Sequence, residues 1–214
     1  MSRYDLVLFD LDGTLTDSKE GIIKSLQYAL SFYNIEKTEK ELMKFIGPPI
    51  AEIFKELLST DDTDEINRGV ALFRERYNKK GYLENAVYDG VAEMLCRLKS
   101  AGVSLAVATS KPEYYAKLIL QNFKLDEYFD YVCGASLDGK LCKKKDVITK
   151  SKDNVAHKKA VMVGDRFYDL VGAEEVGIDA IGVSYGYAKK GELEVYPNVC
   201  IATTPKDVAD FILE

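Results

Sequence analysis

The chain's 214 residues are 47% hydrophobic and 30% charged, which fits a soluble globular protein with one large domain, or a core carrying a smaller appendage. A formal net charge of −6 excludes polyanion binding by bulk charge, so nucleic acid is not an expected partner; a local basic pocket for a small anion stays open. No apolar run approaches a membrane span, and Met1 to Leu8 has no basic segment followed by a long apolar one, so the expectation is no membrane and a cytoplasmic location.

In chain order, the first element is the apolar run LVLF (6–9), which ends at Asp10. Runs this short and this rich in Val and Leu fit parallel strands buried on both faces. From 16 to 82 the pattern is helical throughout. Ile22, Ile23, Leu26, Ala29, Leu30 and Tyr33 form one stripe, Ile50, Ile53, Phe54 and Leu57 a second, and Ile66, Val70, Phe73 and Tyr77 a third. GPP (47–49) reads as a turn between two of these helices. The segment 16–82 is therefore predicted to be a helical subdomain inserted into a core made of 1–15 and 83–214.

The core then alternates. Val91, Met94, Leu95 and Leu98 mark a helix over 89–101, with Asp89 as its N-cap and Gly102 just past its end. VSLAVA (103–108) ends at Thr109 and Ser110, and Pro112 opens a helix carrying Tyr115, Leu118 and Ile119. YVC (131–133) is a weaker strand, AVMV (160–163) ends at Gly164 and Asp165, and AIGV (180–183) follows; 167–176 and 205–213 look helical. This order predicts a doubly wound, Rossmann-like α/β core with a parallel sheet. Ligands in that architecture sit outside the carboxyl ends of the strands, so the polar residues ending the strong runs converge on one crevice.

Two carboxylates two residues apart, Asp10 and Asp12, repel each other, so a cation or a proton belongs between them. Asp165 and Asp169 in GDRFYD add two more at helical spacing. Oxygen ligands without His or Cys suit Mg²⁺. Thr109 and Ser110 offer hydroxyls and N–H groups to an anion, and Gly13 and Thr14 are predicted to add a turn with exposed N–H groups. A lysine from KLCKKKDVI (140–148) would complete the neutralisation. An anion beside Mg²⁺ and a free carboxylate points to phosphoryl transfer, with attack by Asp10 and proton transfer by Asp12.

These motifs, in this order, resemble those of the haloacid dehalogenase superfamily of phosphohydrolases. DLDGT (10–14) is similar to the family's DxDGT, VATS (107–110) to its second motif of apolar residues ending in Thr or Ser, and GDRFYD (164–169) to its GDxxxD. The resemblance covers essentially the whole chain. It implies that Asp10 is the nucleophile, forming an aspartyl-phosphate, that Asp12 is the general acid/base, and that Thr109 binds the phosphoryl group. It implies Mg²⁺ held by Asp10, the Asp12 backbone carbonyl and Asp165, with Asp169 supporting it through water. The family's third motif is a lysine, often in KP, which this chain lacks. Spacing from GASLDG (134–139) and the following helix points to Lys144, with Lys143 and Lys145 as alternatives. The insert resembles a C1-type cap, and IGPPI (46–50) with GASLDGK (134–140) resembles the phosphoglycolate phosphatase and 5′-nucleotidase-like branch. A small-molecule phosphate ester is then the expected partner, with phosphoglycolate or a nucleoside monophosphate as leading substrates.

Several rival readings remain. A dehalogenase needs neither Mg²⁺ nor an acid at position 12. A β-phosphoglucomutase-like phosphotransferase shares every core motif. A phosphonate hydrolase needs a Schiff-base lysine in the cap, where Lys24, Lys44 and Lys55 exist. A non-enzymatic phospho-Asp switch or phosphate sensor is the reading outside enzymes. Lys111 either reaches a substrate carboxylate or is a solvated helix-end charge. The cap aromatics Phe32, Tyr33, Phe45 and Phe54 read as core rather than as base-stacking groups. His157, alone of its type, reads as a solvated loop residue, and Cys96, Cys133, Cys142 and Cys200 as reduced thiols without metal spacing.

Overall fold

A computed structural model describes residues 2–137 and 140–214. Asp138 and Gly139, in the GASLDGK stretch used above, lie outside the described residues.

The chain divides into two compact units, Met1–Asp17 with Val87–Glu214 and, between them in sequence, Ser18–Ala86. The first unit holds a parallel sheet of β1 (Leu6–Phe9), β4 (Ser104–Pro112), β5 (Tyr131–Ala135), β6 (Ala160–Gly164), β7 (Asp179–Val183) and β8 (Cys200–Ala202). Their order across the sheet is β5-β4-β1-β6-β7-β8. Helices α5 (Val91–Ser100), α6 (Glu113–Asn122), α7 (Lys144–Asp153), α8 (Phe167–Glu175) and α9 (Pro205–Leu213) alternate with the strands and flank the sheet. This is the doubly wound α/β arrangement the apolar runs predict.

β1 is central, and all four of its side chains are fully buried. Period-two alternation sends Leu6 and Leu8 to one face, where they join Ile148 of α7 and Leu170 of α8 in a single core. Phe9 stands level with Val107 of β4 and Val163 of β6. The three strands are therefore in register where β1 and β6 end, although β4 runs on to Pro112, and this brings Asp10, Thr109 and Asp165 to one rim.

Three features differ from expectation. The N-cap of α5 is Gly90 at φ +86°, and Asp89 is exposed; the chain enters the helix through a left-handed turn that an Asp side chain does not need to cap. β8, three residues on the sheet edge, was too short to stand out as an apolar run. β2 (Thr16–Asp17) and β3 (Ala86–Val87) form a separate two-stranded ladder of two residues each, invisible to any pattern of period two.

The second unit is helical: α1 (Lys19–Ser31), α2 (Glu39–Leu42), α3 (Ile50–Leu58) and α4 (Thr63–Arg76). Its core takes Ile23, Leu26, Ala29 and Leu30 from α1, Ile53 and Phe54 from α3, and Val70 from α4. The Phe54 ring lies directly against Gly69, where an added Cβ would stand 2.5 Å from it. Phe45 and Phe54 are buried as predicted, whereas Phe32 is exposed. Thr38 and Glu41 close a capping box at α2, and Asp62 caps α4. Among the described residues no helix is long and apolar enough to cross a membrane.

Candidate active site

The turn after β1 has to hold Asp10 in line with the strand and then reverse. Asp10 N–H donates to Val163 O at 2.9 Å, extending the pairing past the strand's end. Gly13 N–H donates to Thr16 O at 2.7 Å, and the N–H groups of Thr14, Leu15 and Thr16 all donate to Leu11 O. Gly13 sits at φ +88°, and a Cβ there would lie 2.1 Å from Asp165 Oδ2, so both backbone sign and close approach require glycine. The expected phosphate nest at Gly13 and Thr14 is corrected here: both N–H groups are spent inside the turn. The Thr14 hydroxyl instead donates to Asp165 Oδ1 at 3.3 Å. Among the described residues no acceptor takes the N–H groups of Leu11 and Asp12, which directly follow Asp10.

Asp10, Asp165 and Asp169 are buried and offer oxygens that all lie within 4.8 Å of one another. Asp165 accepts from Tyr187 N–H at 2.7 Å, and Asp169 accepts from Arg166 N–H at 3.0 Å at the first turn of α8. Gly164 is required beside them, because a Cβ there would stand 2.2 Å from Asp169 Cγ. Lys144, the first residue of α7, supplies the cation. Its Nζ donates to Asp10 Oδ1 at 2.8 Å and to Ala108 O at 3.0 Å, and stands 2.6 Å from Asp169 Oδ1. Gly172 of α8 leaves space for the lysine stem; a Cβ there would come within 2.9 Å of Lys144 Cγ. Of the three candidate lysines Lys144 reaches the cluster, while Lys143 is exposed and Lys145 lies at the surface beside Glu175.

The electrostatics follow from this crowding. Burial pushes the Asp165 carboxyl well above the usual carboxylate range, and Asp169 and Asp10 push it further. Burial pushes Asp169 up to about 6, with the Lys144 ammonium restraining the rise and Asp10 adding to it. Burial works against the charge on Lys144, yet Asp10 and Asp169 more than offset it and hold the ammonium above its ordinary range. One ammonium among three buried carboxylates leaves negative charge uncompensated. An all-oxygen set with that excess fits a small hard divalent cation.

Asp12 stands apart from this group. Four carboxylates were expected to share one cluster, but the Asp12 side chain turns to a second cation. Lys111 Nζ donates to Asp12 Oδ1 at 3.0 Å and Oδ2 at 2.7 Å. Their side chains are 5% and 15% exposed, so the solvated alternative for Lys111 is wrong. Thr109 is buried, and its Oγ1 accepts from Lys111 N–H at 3.2 Å. Ser110, half-buried, sits where the β4–β5 register shifts between Thr109 and Pro112.

Sequence reasoning missed the segment behind the buried carboxylates, SYGY (184–187). Tyr187 N–H holds Asp165, Tyr187 OH donates to Asp17 Oδ1 at 2.8 Å, and Tyr185 OH donates to Thr14 O at 3.0 Å. Between them Gly186 packs on the turn; a Cβ there would lie 2.2 Å from Gly13 O. Glu192 accepts from Arg166 Nε at 2.8 Å and from Phe167 N–H at 3.2 Å, fixing the start of α8. The available signal was one glycine, Gly186, between two tyrosines just after a strand, which marks close backbone approach.

The remaining candidates fall elsewhere. His157 Nδ1 lies 2.8 Å from Val155 O in the loop before β6, at the opposite end of the strand from Asp165. Lys24, Lys44 and Lys55 are exposed and paired with Glu20, Glu56 and Asp61, which gives none of them the buried setting a Schiff-base lysine needs. All four cysteines are free thiols.

With this geometry in place, comparison with known proteins decides the family. The family model for "Haloacid dehalogenase-like hydrolase" matches residues 7–183. The chain belongs to that family. It is a phosphatase of the haloacid dehalogenase-like hydrolases, with the α/β core seen in its structural relatives. A protein from Pseudomonas aeruginosa named "5'-nucleotidase" is 40% identical over 91% of this chain and 89% of its own length. The crystal structure of a predicted phosphatase from Clostridium acetobutylicum has a TM-score of 0.91 at 42% identity, covering 97% of each chain. A Mycobacterium tuberculosis protein named "Tyrosine-protein kinase PtkA" is 38% identical over 86% of this chain, which spans only 63% of that relative.

Proposed function

We propose that the chain is a Mg²⁺-dependent phosphomonoester hydrolase that works through an aspartyl-phosphate on Asp10. The observation that carries this reading is the separation of the two motif carboxylates: Asp10 lies among the metal-facing acids with Lys144, and Asp12 lies outside them with Lys111. That separation supports attack by one carboxylate and proton transfer by the other. Mg²⁺ would be held by Asp10, Asp165 and the Asp12 backbone carbonyl, with Asp169 supporting, and would supply charge neutralisation at the phosphoryl oxygens.

An Asp10 carboxylate oxygen forms a bond to phosphorus, and the ester oxygen leaves with the bonding pair and takes a proton from Asp12. An attacking water then gives one of its own protons to Asp12 as its oxygen bonds to phosphorus. The Asp10–phosphorus bond breaks, and inorganic phosphate leaves. Thr109 Oγ1 and the N–H groups of Leu11 and Asp12 would meet the phosphoryl oxygens, and Lys144 would hold Asp10 in place. The helical unit, Ser18–Ala86, stands in the chain where a C1-type cap is inserted. The relative named "5'-nucleotidase" favours a nucleoside monophosphate among small phosphate esters, with phosphoglycolate next.

The test is turnover of p-nitrophenyl phosphate. Activity is expected with Mg²⁺, none with EDTA, and a loss of at least ~10³-fold in Asp10→Asn. Full Mg²⁺-dependent turnover by Asp10→Asn would remove the nucleophile. A panel of nucleoside monophosphates, phosphoglycolate, sugar phosphates and pyrophosphate then ranks the substrates. The likeness to the protein named a tyrosine kinase favours a second reading, in which a hydroxyl replaces water as acceptor. Transfer of label from enzyme-bound phosphate to a tyrosine-containing peptide, in place of phosphate release, would select it.

A further inference from the structure

We propose that Lys111 is a positioning residue for the proton-transfer step: it fixes the Asp12 carboxylate beside the leaving group. The proposal rests on the reading of Asp12 as proton carrier and adds the group that aims it.

Three observations support it independently. Lys111 Nζ donates to both oxygens of Asp12, at 3.0 and 2.7 Å, which fixes the carboxylate plane as well as its position. The ammonium is nearly inaccessible, at 5% side-chain exposure, so the pair is not a screened surface contact. The Lys111 backbone is itself pinned. Its N–H donates to Thr109 Oγ1 at 3.2 Å, and its carbonyl lies against Gly134 of β5, where a Cβ would come within 2.4 Å of it. The register shift between Thr109 and Pro112 lifts Ser110 and Lys111 out of the ladder. A lysine in regular strand register would not be offered to the turn after β1. The structure thus uses an irregularity in β4 to deliver a cation to Asp12, as it uses the start of α7 to deliver one to Asp10.

An unanchored aspartate in a turn samples several rotamers, and a misplacement of about 1 Å can cost ~10²-fold in rate. General acid catalysis is worth ~10²–10⁴-fold, but only where the leaving group needs a proton. An alkoxide does, and p-nitrophenolate does not. The readout is therefore the ratio of kcat/KM for β-glycerol phosphate to kcat/KM for p-nitrophenyl phosphate, which reports the first phosphoryl transfer alone. In Asp12→Asn and in Lys111→Met this ratio is expected to fall by ~10²-fold relative to wild type. A burst of p-nitrophenolate would accompany it, because breakdown of the phospho-enzyme also uses Asp12. Lys111→Arg, which keeps the charge and the paired donors, should restore the ratio to within a few-fold. Should Lys111→Met fail to fold, Lys111→Gln reads the same ratio with a side chain that retains an N–H donor.

Equal loss on both esters in Lys111→Met would overturn the proposal and leave Lys111 as a structural cation. Loss confined to phosphoglycolate, with the neutral alkyl ester unaffected, would also overturn it and make Lys111 a contact for a substrate carboxylate. An unchanged ratio in Asp12→Asn would remove the proton-carrier reading itself, and the proposal with it. A fall in Asp12→Asn without one in Lys111 variants would remove the proposal alone.

Discussion

Replacing Asp165 by Asn should make the metal-free protein more stable and the metal-loaded protein relatively less so. Asp165 has two carboxylate neighbours, Asp10 and Asp169, with oxygens within 4.8 Å. Two unit charges at that separation repel by ~3 kcal/mol at an effective dielectric of ~20. The Lys144 ammonium is engaged with Asp10 and Asp169, and the raised proton affinity of Asp165 offsets part of the repulsion. The net gain from Asn is therefore about 1–3 kcal/mol. Asn keeps an oxygen for Tyr187 N–H, and its amide can donate to the Thr14 hydroxyl, so both hydrogen bonds at this position survive the change. For a chain of this size about 1 kcal/mol moves Tm by ~2–4 °C, so a rise of ~2–12 °C is expected in EDTA. Wild type should gain about 2.7 kcal/mol at a Mg²⁺ concentration 100 times its Kd, and Asp165→Asn little or none. Thermal unfolding of both proteins in EDTA and across a MgCl₂ series reads the crossover. A variant that melts below wild type in EDTA would show that the three-acid cluster is not strained. A variant that keeps the full Mg²⁺ shift would show that the cluster is not the metal site.

Two further outcomes follow from the same cluster. Asp169 is pushed from 3.8 up to about 6, so between those values the folded chain binds a proton that the unfolded chain does not. Its contribution to metal-free stability therefore rises as pH falls through about 6, while Mg²⁺, competing with that proton, stabilises progressively less. Melting curves from pH 8 to 5, with and without Mg²⁺, should converge; a Mg²⁺ shift that is constant over this range would contradict the assignment. Gly13→Ala places a methyl 2.1 Å from Asp165 Oδ2 at φ +88°, and should cost about 1–3 kcal/mol and at least ~10²-fold in activity. A variant with wild-type Tm and turnover would mean that Asp165 can move without consequence.

Much of this site was legible because chain chemistry and strand chemistry coincide. LVLF and AVMV run to the ends of buried strands, VSLAVA lies within a strand that continues to Pro112, and the polar residue after each run reaches the common rim. The lysine was not legible to the same degree. Lys143, Lys144 and Lys145 are consecutive, and only the azimuth of the first turn of α7 and the space left by Gly172 choose among them. The failed nest at Gly13 and Thr14 has a similar cause. A Gly after an Asp signals a tight turn, but which N–H groups the turn consumes depends on where its carbonyls point, here Leu11 and Thr16. The bracing by Tyr185, Tyr187 and Glu192 was invisible because these side chains act through backbone groups and other side chains, with no motif of their own.

The pairing of acids and lysines also explains why an Asp-x-Asp sequence is tolerable at a strand end. In a continued strand, positions 10 and 12 would project to the same face and share whatever cation lay there. The turn that closes from Leu11 to Thr16 breaks this alternation, and the two carboxylates meet different lysines, Lys144 from α7 and Lys111 from the irregular end of β4. Four carboxylates, Asp10, Asp12, Asp165 and Asp169, then face two ammonium groups, an excess of two negative charges when all are ionised. Burial first, and that excess second, raise the proton affinity of Asp165 and Asp169 in the absence of metal. A divalent cation would relieve the excess without protons. On the proposed reaction, the incoming phosphoryl group would be met by neutral donors, Thr109 Oγ1 and the N–H groups of Leu11 and Asp12, because Lys144 and Lys111 already pair with Asp10 and Asp12.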